Sequence, residues 1–259
     1  MNTNSNTYTV IYSVILVVVV AVVLAFTALT LQPAQDTNVK VETISKILTS
    51  VGLYDAESEM SNDEIIKTYS DNIKEAILVN AEGQVIGNMS TDAKNIELKG
   101  QADLKLQSTY IKKASEGDAD AKANIALPVY IFNVNGKTIP VVPCYGAGLW
   151  GPIWGYVAFE GDMNTIEGAV FDHKGETPGL GAEIATDWFR ANFTGKKIYD
   201  AEGNFTSVKV VKGGASEDDI NGVDAISGGT ITSQALEKAI KTWIEAYVPY
   251  FETLKAVEE

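Results

Sequence analysis

The chain of 259 residues is long enough for one large domain or two small ones. Its formal net charge of −14 argues against a nucleic-acid partner, because phosphate recognition depends on clustered lysine and arginine, and Arg190 is the only arginine. A single cysteine, Cys144, and a single histidine, His173, exclude an internal disulfide and argue against cysteine-based zinc, iron–sulfur and c-type haem sites. We therefore predict no catalytic side chain and no metal site, and expect chemistry to come from a bound cofactor.

The N-terminal region is dominated by an uncharged apolar run from Val10 to Leu31. As a helix this run would span roughly 33 Å, enough to cross a hydrocarbon core of about 30 Å. A cleaved signal peptide is the alternative, but it would have a shorter apolar core preceded by positive charge, and residues 1–9 carry none. We predict an uncleaved transmembrane helix over 10–31. No lysine or arginine occurs before Lys40, so flanking charge does not decide the orientation.

We expect residues 1–9 to be a cytoplasmic leader, 32–38 to be a linker containing Pro33, and 39–259 to form an extracytoplasmic domain. The first elements of that domain follow from apolar spacing and turn residues. In chain order they are a helix over 41–51 ended by Gly52, a helix over 61–73, and a hairpin whose strands, 76–79 and 84–86, flank Ala-Glu-Gly. Residues 88–124 are polar with weak periodicity and receive no assignment.

The clearest hairpin joins a strand over 125–134 to one over 137–143 through Asn135-Gly136, a pair that supplies the positive φ angles of a type I′ turn. The later predicted elements include both strands and helices. They are strand-like runs over 149–159 and 166–171, a helix over 182–193, a strand over 207–211, and a helix over 232–248 that Pro249 bends or ends. Strands and helices without regular βαβ alternation predict an α+β fold after the anchor.

A small-residue turn leads into the last predicted helix, with the sequence Asp224-Ala-Ile-Ser-Gly-Gly-Thr-Ile-Thr-Ser233. A helix N-terminus offers unpaired N–H groups and the positive end of the helix dipole, which together favour phosphate. Gly228 and Gly229 would let the backbone approach a ligand closely. The alternative interpretation is an ordinary N-cap by serine or threonine after a glycine turn.

This segment resembles the flavin-attachment motif Asp-x-x-Ser-Gly-x-Thr-x-Thr of the FMN-binding domain family. In that family the FMN phosphate is esterified to the threonine that corresponds to Thr230 here. Two further segments resemble the family, in its order along the chain: Gly-Leu-Trp-Gly-Pro-Ile-Trp-Gly at 148–155 and Glu-Thr-Pro-Gly-Leu-Gly at 176–181. The family usually has alanine where this chain has Gly229. Within the family, the whole chain most closely resembles the C subunits of sodium-translocating NADH:quinone reductases.

The resemblance implies a covalent FMN in a flavin-binding part over 125–248. A flavin transferase would install it, and no base beside Thr230 is needed. The residues expected to hold FMN are Thr230, through the phosphoester, and Ser227, Gly228, Gly229, Thr232, Glu176, Thr177, Gly179, Leu180, Leu149 and Trp150. The protein would relay electrons among other membrane subunits that oxidise NADH, reduce quinone and export sodium. Its location would be the bacterial inner membrane, with the bulk of the chain in the periplasm.

Two rival functions stay open at this point. One is the related G subunit of Rnf electron-transport complexes, with the same cofactor and different partners. The other is an anchored extracytoplasmic binding domain without redox activity. Among the remaining side chains, Trp154 is a weaker candidate for flavin contact, His173 is expected to be solvated, and Cys144 is expected to be a buried apolar residue. The acidic run at 217–219 is expected to be a solvated loop and not a sodium site.

Overall fold

The computed structural model describes residues 5–55, 57–93 and 103–258. Contacts divide the chain into two units, with the boundary after Glu42. Helix α1 runs from Asn6 to Ser50. In the described part of the chain it is the one helix long and apolar enough to cross a membrane, and the large apolar side chains of its run over 10–31 are exposed. The expected linker over 32–38 is helical and belongs to α1, where the Thr37 hydroxyl donates a 2.9 Å hydrogen bond to the Pro33 carbonyl.

The second unit is built on an antiparallel sheet of six strands in the order β2-β1-β3-β4-β5-β6. These strands are β1 (Ile73–Val79), β2 (Val85–Asn88), β3 (Leu127–Val134), β4 (Lys137–Ala147), β5 (Pro152–Phe159) and β6 (Ile166–His173). A separate parallel pair joins β7 (Lys209–Val211) to β8 (Gly222–Asp224). The helices are α2 (Asn62–Asn72), α3 (Leu104–Ser115), α4 (Ala119–Ala123), α5 (Asp187–Ala191) and α6 (Thr230–Glu258), with a 3₁₀ helix at Gly181–Ala185. The predicted α+β class is confirmed.

Local sequence signals account for several of these elements. Asn135 and Gly136 have φ angles of 53° and 84°, as the predicted turn between β3 and β4 requires. A reciprocal capping box between Ser61 and Glu64 begins α2. Helix α3 occupies part of the stretch that the polarity pattern left unassigned. Its buried side chains are only Gln107 and Ile111, which explains the weak apolar periodicity there.

Helix α6 packs against the sheet and carries the largest buried side chain of the core, Trp243. The Trp243 indole N–H donates a 2.9 Å hydrogen bond to the Tyr145 carbonyl. Close packing of α6 on β4 depends on Gly146, since a Cβ atom there would lie 2.7 Å from the Ala239 Cβ. These two contacts hold the first half of α6 against the end of β4.

Three sequence predictions are corrected in this unit. The helix predicted over 182–193 is instead the 3₁₀ helix and the short α5, separated at Thr186, whose ψ of 155° is extended. The strand predicted over 207–211 begins only at Lys209, because Ser207 has a left-handed φ of 61°.

Helix α6 does not end at Pro249 but continues to Glu258. The lost N–H bond is offset by burial of Tyr250 and Phe251 beyond the proline. The turn between β1 and β2 also packs here, since a Cβ atom on Gly83 would lie 2.5 Å from the Pro249 carbonyl carbon.

Candidate functional site

A cleft of about 270 Å³ lies where three chain segments meet: the loop after β4, the loop after β6, and the first turn of α6. These are the three segments that resemble flavin-family motifs. The lining residues are Leu149, Trp150, Glu176, Thr177, Leu180, Gly181, Gly228, Gly229, Thr230, Ile231 and Thr232. Of the residues expected at the site, Ser227 and Gly179 are exposed and lie outside this lining. Gly181 and Ile231 line it without having been predicted, although both lie inside the matching motifs.

The backbone before α6 forms a tight turn that leaves donors free at the helix start. The Gly229 N–H donates to the Ile226 carbonyl at 3.0 Å, and Gly228 has a φ of 76°. Buried Ser233 accepts the Ile226 N–H on its Oγ at 3.2 Å. Within the described residues, the N–H groups of 230–232 have no backbone acceptor. Such free donors at a helix N-terminus suit an anion.

Glycine suits both positions of the turn, Gly228 through its left-handed φ and Gly229 through the crowding around it. A Cβ atom on Gly228 would lie 2.7 Å from the Leu180 Cδ2. A Cβ atom on Gly229 would lie 2.8 Å from the Ile226 Cγ2 and 3.1 Å from the Leu180 carbonyl oxygen. This crowding gives a local reason for glycine at 229, where the resembling family usually has alanine.

Glu176 joins all three segments through one buried carboxylate, which is 4% exposed. Its Oε1 accepts the Trp150 N–H at 2.8 Å, and its Oε2 accepts the Thr232 hydroxyl at 2.5 Å. Gly148 and Gly181 leave the space that the carboxylate occupies, since a Cβ atom on either would lie within 2.6 Å of one of its oxygens. Glu176 is therefore part of the wall, with both carboxylate oxygens already hydrogen-bonded inside the protein.

The remaining wall of the cleft is apolar and open to solvent. Trp150 is 69% exposed, and Leu149, Leu180 and Ile231 are also among the exposed large apolar side chains. Four such side chains around one cleft form a surface that a flat apolar ligand would cover. Trp154 lies elsewhere: its ring faces the Lys46 ammonium at 5.7 Å, and it does not line the cleft.

The other candidates from the sequence have ordinary surroundings, with one exception. Cys144 is buried, and desolvation raises the pKa of its thiol to about 12. Glu217 and Asp218 are exposed, and the described residues contain no group of three or more histidine, cysteine or acidic side chains able to hold a metal. His173 is the exception: it is half-buried rather than solvated, and its Nδ1 accepts the Glu176 N–H at 3.1 Å.

Comparisons with known proteins agree with this geometry. The sequence model of the FMN-binding domain matches residues 148–245, which include all three segments of the cleft. The C subunit of the Na(+)-translocating NADH-quinone reductase of Haemophilus ducreyi is 34% identical over 242 residues, covering 90% of this chain and 88% of the relative.

Solved structures extend the agreement to the fold. The crystal structure of the corresponding protein from Parabacteroides distasonis has a TM-score of 0.68 and 37% identity, covering 85% of this chain and 96% of that one. Shewanella oneidensis NqrC has a TM-score of 0.64 and 29% identity, covering 84% and 98%. The chain therefore belongs to the family of C subunits of Na(+)-translocating NADH-quinone reductases.

Proposed function

We propose that this chain is a membrane-anchored flavoprotein subunit that relays electrons through FMN attached to Thr230 by a phosphoester. It would act within a complex that oxidises NADH, reduces quinone and exports sodium, in keeping with the names of its relatives. The observation that carries the proposal is the placement of Thr230 at the start of α6, beside free N–H groups and at the edge of an apolar cleft.

The residues present fit FMN at both of its ends. The free N–H groups of 230–232 and the positive end of the α6 dipole would hold the phosphate. The exposed faces of Trp150, Leu149, Leu180 and Ile231 would cover the apolar ring system. When bound, FMN supplies reversible electron transfer, which none of these side chains offers.

The two threonines of the motif differ in a way that favours Thr230 as the attachment site. Thr232 is 2% exposed, and its hydroxyl donates to Glu176. Thr230 is half-buried, and in the described structure its hydroxyl has no hydrogen-bond partner. An enzyme acting on the protein surface could therefore reach the Thr230 oxygen without breaking an internal bond.

Within the described residues, no side chain is hydrogen-bonded to the Thr230 hydroxyl as a general base would be. The only histidine of the chain, His173, uses Nδ1 to accept the Glu176 N–H. We therefore assign the attachment step to a separate flavin transferase acting on FAD. The Thr230 oxygen would bond to the FMN phosphorus, the phosphoanhydride bond would break to release AMP, and the hydroxyl proton would pass to a base of the transferase.

We also propose that residues 1–9 lie in the cytoplasm and that the chain after Gln32 lies in the periplasm, outside the inner membrane, where it meets the transferase and the other subunits. The short uncharged leader is easily left on the cytoplasmic side. Protease added to spheroplasts should digest the region after Gln32. Protection of the whole chain would reverse this orientation.

The test of the proposed function is the full chain produced with an active flavin transferase. Its intact mass should exceed the sequence mass by FMN minus one water, and its band should fluoresce on a denaturing gel. Thr230→Ala should fold and lose the fluorescent band, whereas the matched variant Thr232→Ala should keep it. Retention in Thr230→Ala with loss in Thr232→Ala would move the attachment to Thr232. An unmodified wild type beside active transferase would refute the flavoprotein assignment.

A further inference from the structure

The only histidine of the chain lies at the end of a connected series of hydrogen bonds that leads to the cleft. His173 is the last residue of β6, and its Nδ1 accepts the Glu176 N–H across a turn of four residues. The Glu176 carboxylate then accepts the Trp150 N–H and the Thr232 hydroxyl. A nitrogen that accepts a hydrogen bond uses its lone pair, so the ring proton of neutral His173 belongs on Nε2.

The base of this turn is itself held in place. Asp172 Oδ1 accepts the His173 N–H at 2.7 Å, and its Oδ2 pairs with the Lys46 ammonium. The imidazole ring therefore starts from a fixed backbone position at the edge of the sheet. Its Nδ1 fixes the backbone of Glu176, three residues further along the chain.

We propose that His173 is a positioning residue of the flavin site, acting through Glu176. The proposal rests on the proposed function and adds a role for a residue outside the cleft lining. The Glu176 carboxylate serves two donors from two other segments, and it fits only because Gly148 and Gly181 leave it room. A small rotation of the Glu176 backbone would break one of these two bonds. His173 restrains that rotation and so keeps the Trp150 loop and the first turn of α6 in register.

Three substitutions separate this role from general packing. In His173→Asn the Oδ1 atom can take the place of Nδ1 as acceptor. In His173→Gln the polar group extends toward the position of Nε2, and in His173→Ala there is no acceptor. Loss of the acceptor leaves the Glu176 N–H unpaired, in a residue that is almost fully buried.

The first measurement uses the full chain in detergent, made without transferase so that it carries no flavin. Hydrogen–deuterium exchange is followed by mass spectrometry in peptides covering 148–152 and 174–181. Exchange in both peptides should be about fivefold faster in His173→Ala and His173→Gln than in wild type, and within about twofold of wild type in His173→Asn. Wild-type exchange in His173→Ala, or equal acceleration in the asparagine and alanine variants, would overturn the proposal.

The second measurement uses the same variants made with transferase. The visible circular dichroism of attached flavin reports how rigidly the ring is held by its surroundings. His173→Ala should lose most of this signal while keeping the covalent mass, and His173→Asn should restore it. An unchanged signal in His173→Ala would count against the role. If wild type takes no flavin, the proposed function fails, and the exchange measurement still decides the role of His173.

Discussion

The Thr232 hydroxyl donates a 2.5 Å hydrogen bond to Glu176 Oε2, joining the first turn of α6 to the loop after β6 across 56 positions of sequence. The same carboxylate holds the Trp150 N–H of a third segment. One buried side chain thus determines how the three walls of the cleft meet. Its removal should affect stability as well as flavin binding.

Glu176→Ala should lower the free energy of unfolding by about 3 kcal/mol, because it leaves the Trp150 amide and the Thr232 hydroxyl without their buried acceptor. Glu176→Gln keeps the shape and one acceptor, and should cost about 1 kcal/mol. Urea unfolding followed by tryptophan fluorescence measures the loss of stability in each of the two variants. The exposed carboxylate Glu245 provides the matched control, since Glu245→Gln should change stability by less than about 0.5 kcal/mol. Equal stability of Glu176→Ala and wild type would contradict the arrangement.

Gly155→Ala should destabilise the second unit by about 3 kcal/mol, because a Cβ atom there would overlap the Phe171 ring and the Val170 carbonyl of the neighbouring strand. The backbone of the sheet cannot move aside without breaking its ladder. Gly161→Ala is the control, since that position has open space around it and no positive φ. Thermal unfolding should separate the two variants by several degrees, and similar melting temperatures would refute the packing argument.

Ser207→Gly should raise stability by about 1 kcal/mol. Ser207 is fully buried with a φ of 61°, and its hydroxyl has no hydrogen-bond partner in the described structure. Glycine accepts this φ without the clash of a Cβ atom and removes the unpaired hydroxyl. Ser207→Ala removes only the hydroxyl, so it should gain less. Chemical unfolding that ranks Ser207→Ala above Ser207→Gly would show that backbone strain is not the cause.

Cys144 should resist alkylation in the native protein at pH 8 and react in urea. Desolvation raises the pKa of its thiol to about 12, whereas an exposed thiol ionises near about 8.5. Above about pH 9 the unfolded chain therefore releases a proton that the folded chain keeps, so this thiol makes stability fall as pH rises toward 12. Iodoacetamide labelling read by mass spectrometry tests whether Cys144 resists alkylation in the native protein. A Cys144→Ala variant should show a shallower loss of stability in that pH range.

Removal of residues 1–33 should release the remainder from the membrane as a folded protein. The second unit carries its own core on the sheet, and the apolar run belongs to the removed segment. Far-ultraviolet circular dichroism and cooperative unfolding would check the fold of the truncated chain. Its persistence in membranes after an alkaline wash would show that the anchor lies elsewhere.

Much of the fold follows from local signals in the sequence. Asn135-Gly136 predicts the central hairpin, and the apolar spacing of Leu236, Ile240 and Trp243 predicts α6. The break at Thr186 could not be predicted, because the apolar residues on both sides of it fit one continuous helix as well as two short ones. Helix α3 was missed for the opposite reason, since it buries almost no apolar side chain.

The segments of the candidate site were predicted by motif resemblance, but their mutual geometry was not. Glu176 lines the cleft, so its contact with the cofactor stays a prediction, but the bonds from its two oxygens to Trp150 and Thr232 are not predicted by the motif. These partners lie 26 and 56 positions away, and no local pattern encodes a contact at such separations. His173 was expected in solvent because its neighbours in sequence are charged, yet its Nδ1 accepts a backbone N–H. Such a bond becomes visible only in three dimensions.

Helix α6 is held at two places: Glu176 holds its first turn through Thr232, and the turn at Gly83 packs against its backbone at Pro249, 19 residues after its start. A redox cofactor attached to this helix would have little freedom to move when an electron arrives or leaves. The surrounding dipoles would then need little rearrangement, which keeps the reorganisation energy of each transfer low. In these terms, α6 would act as a rigid mount, and its contact at Pro249, far from the cleft, would contribute to the speed of electron transfer at its start.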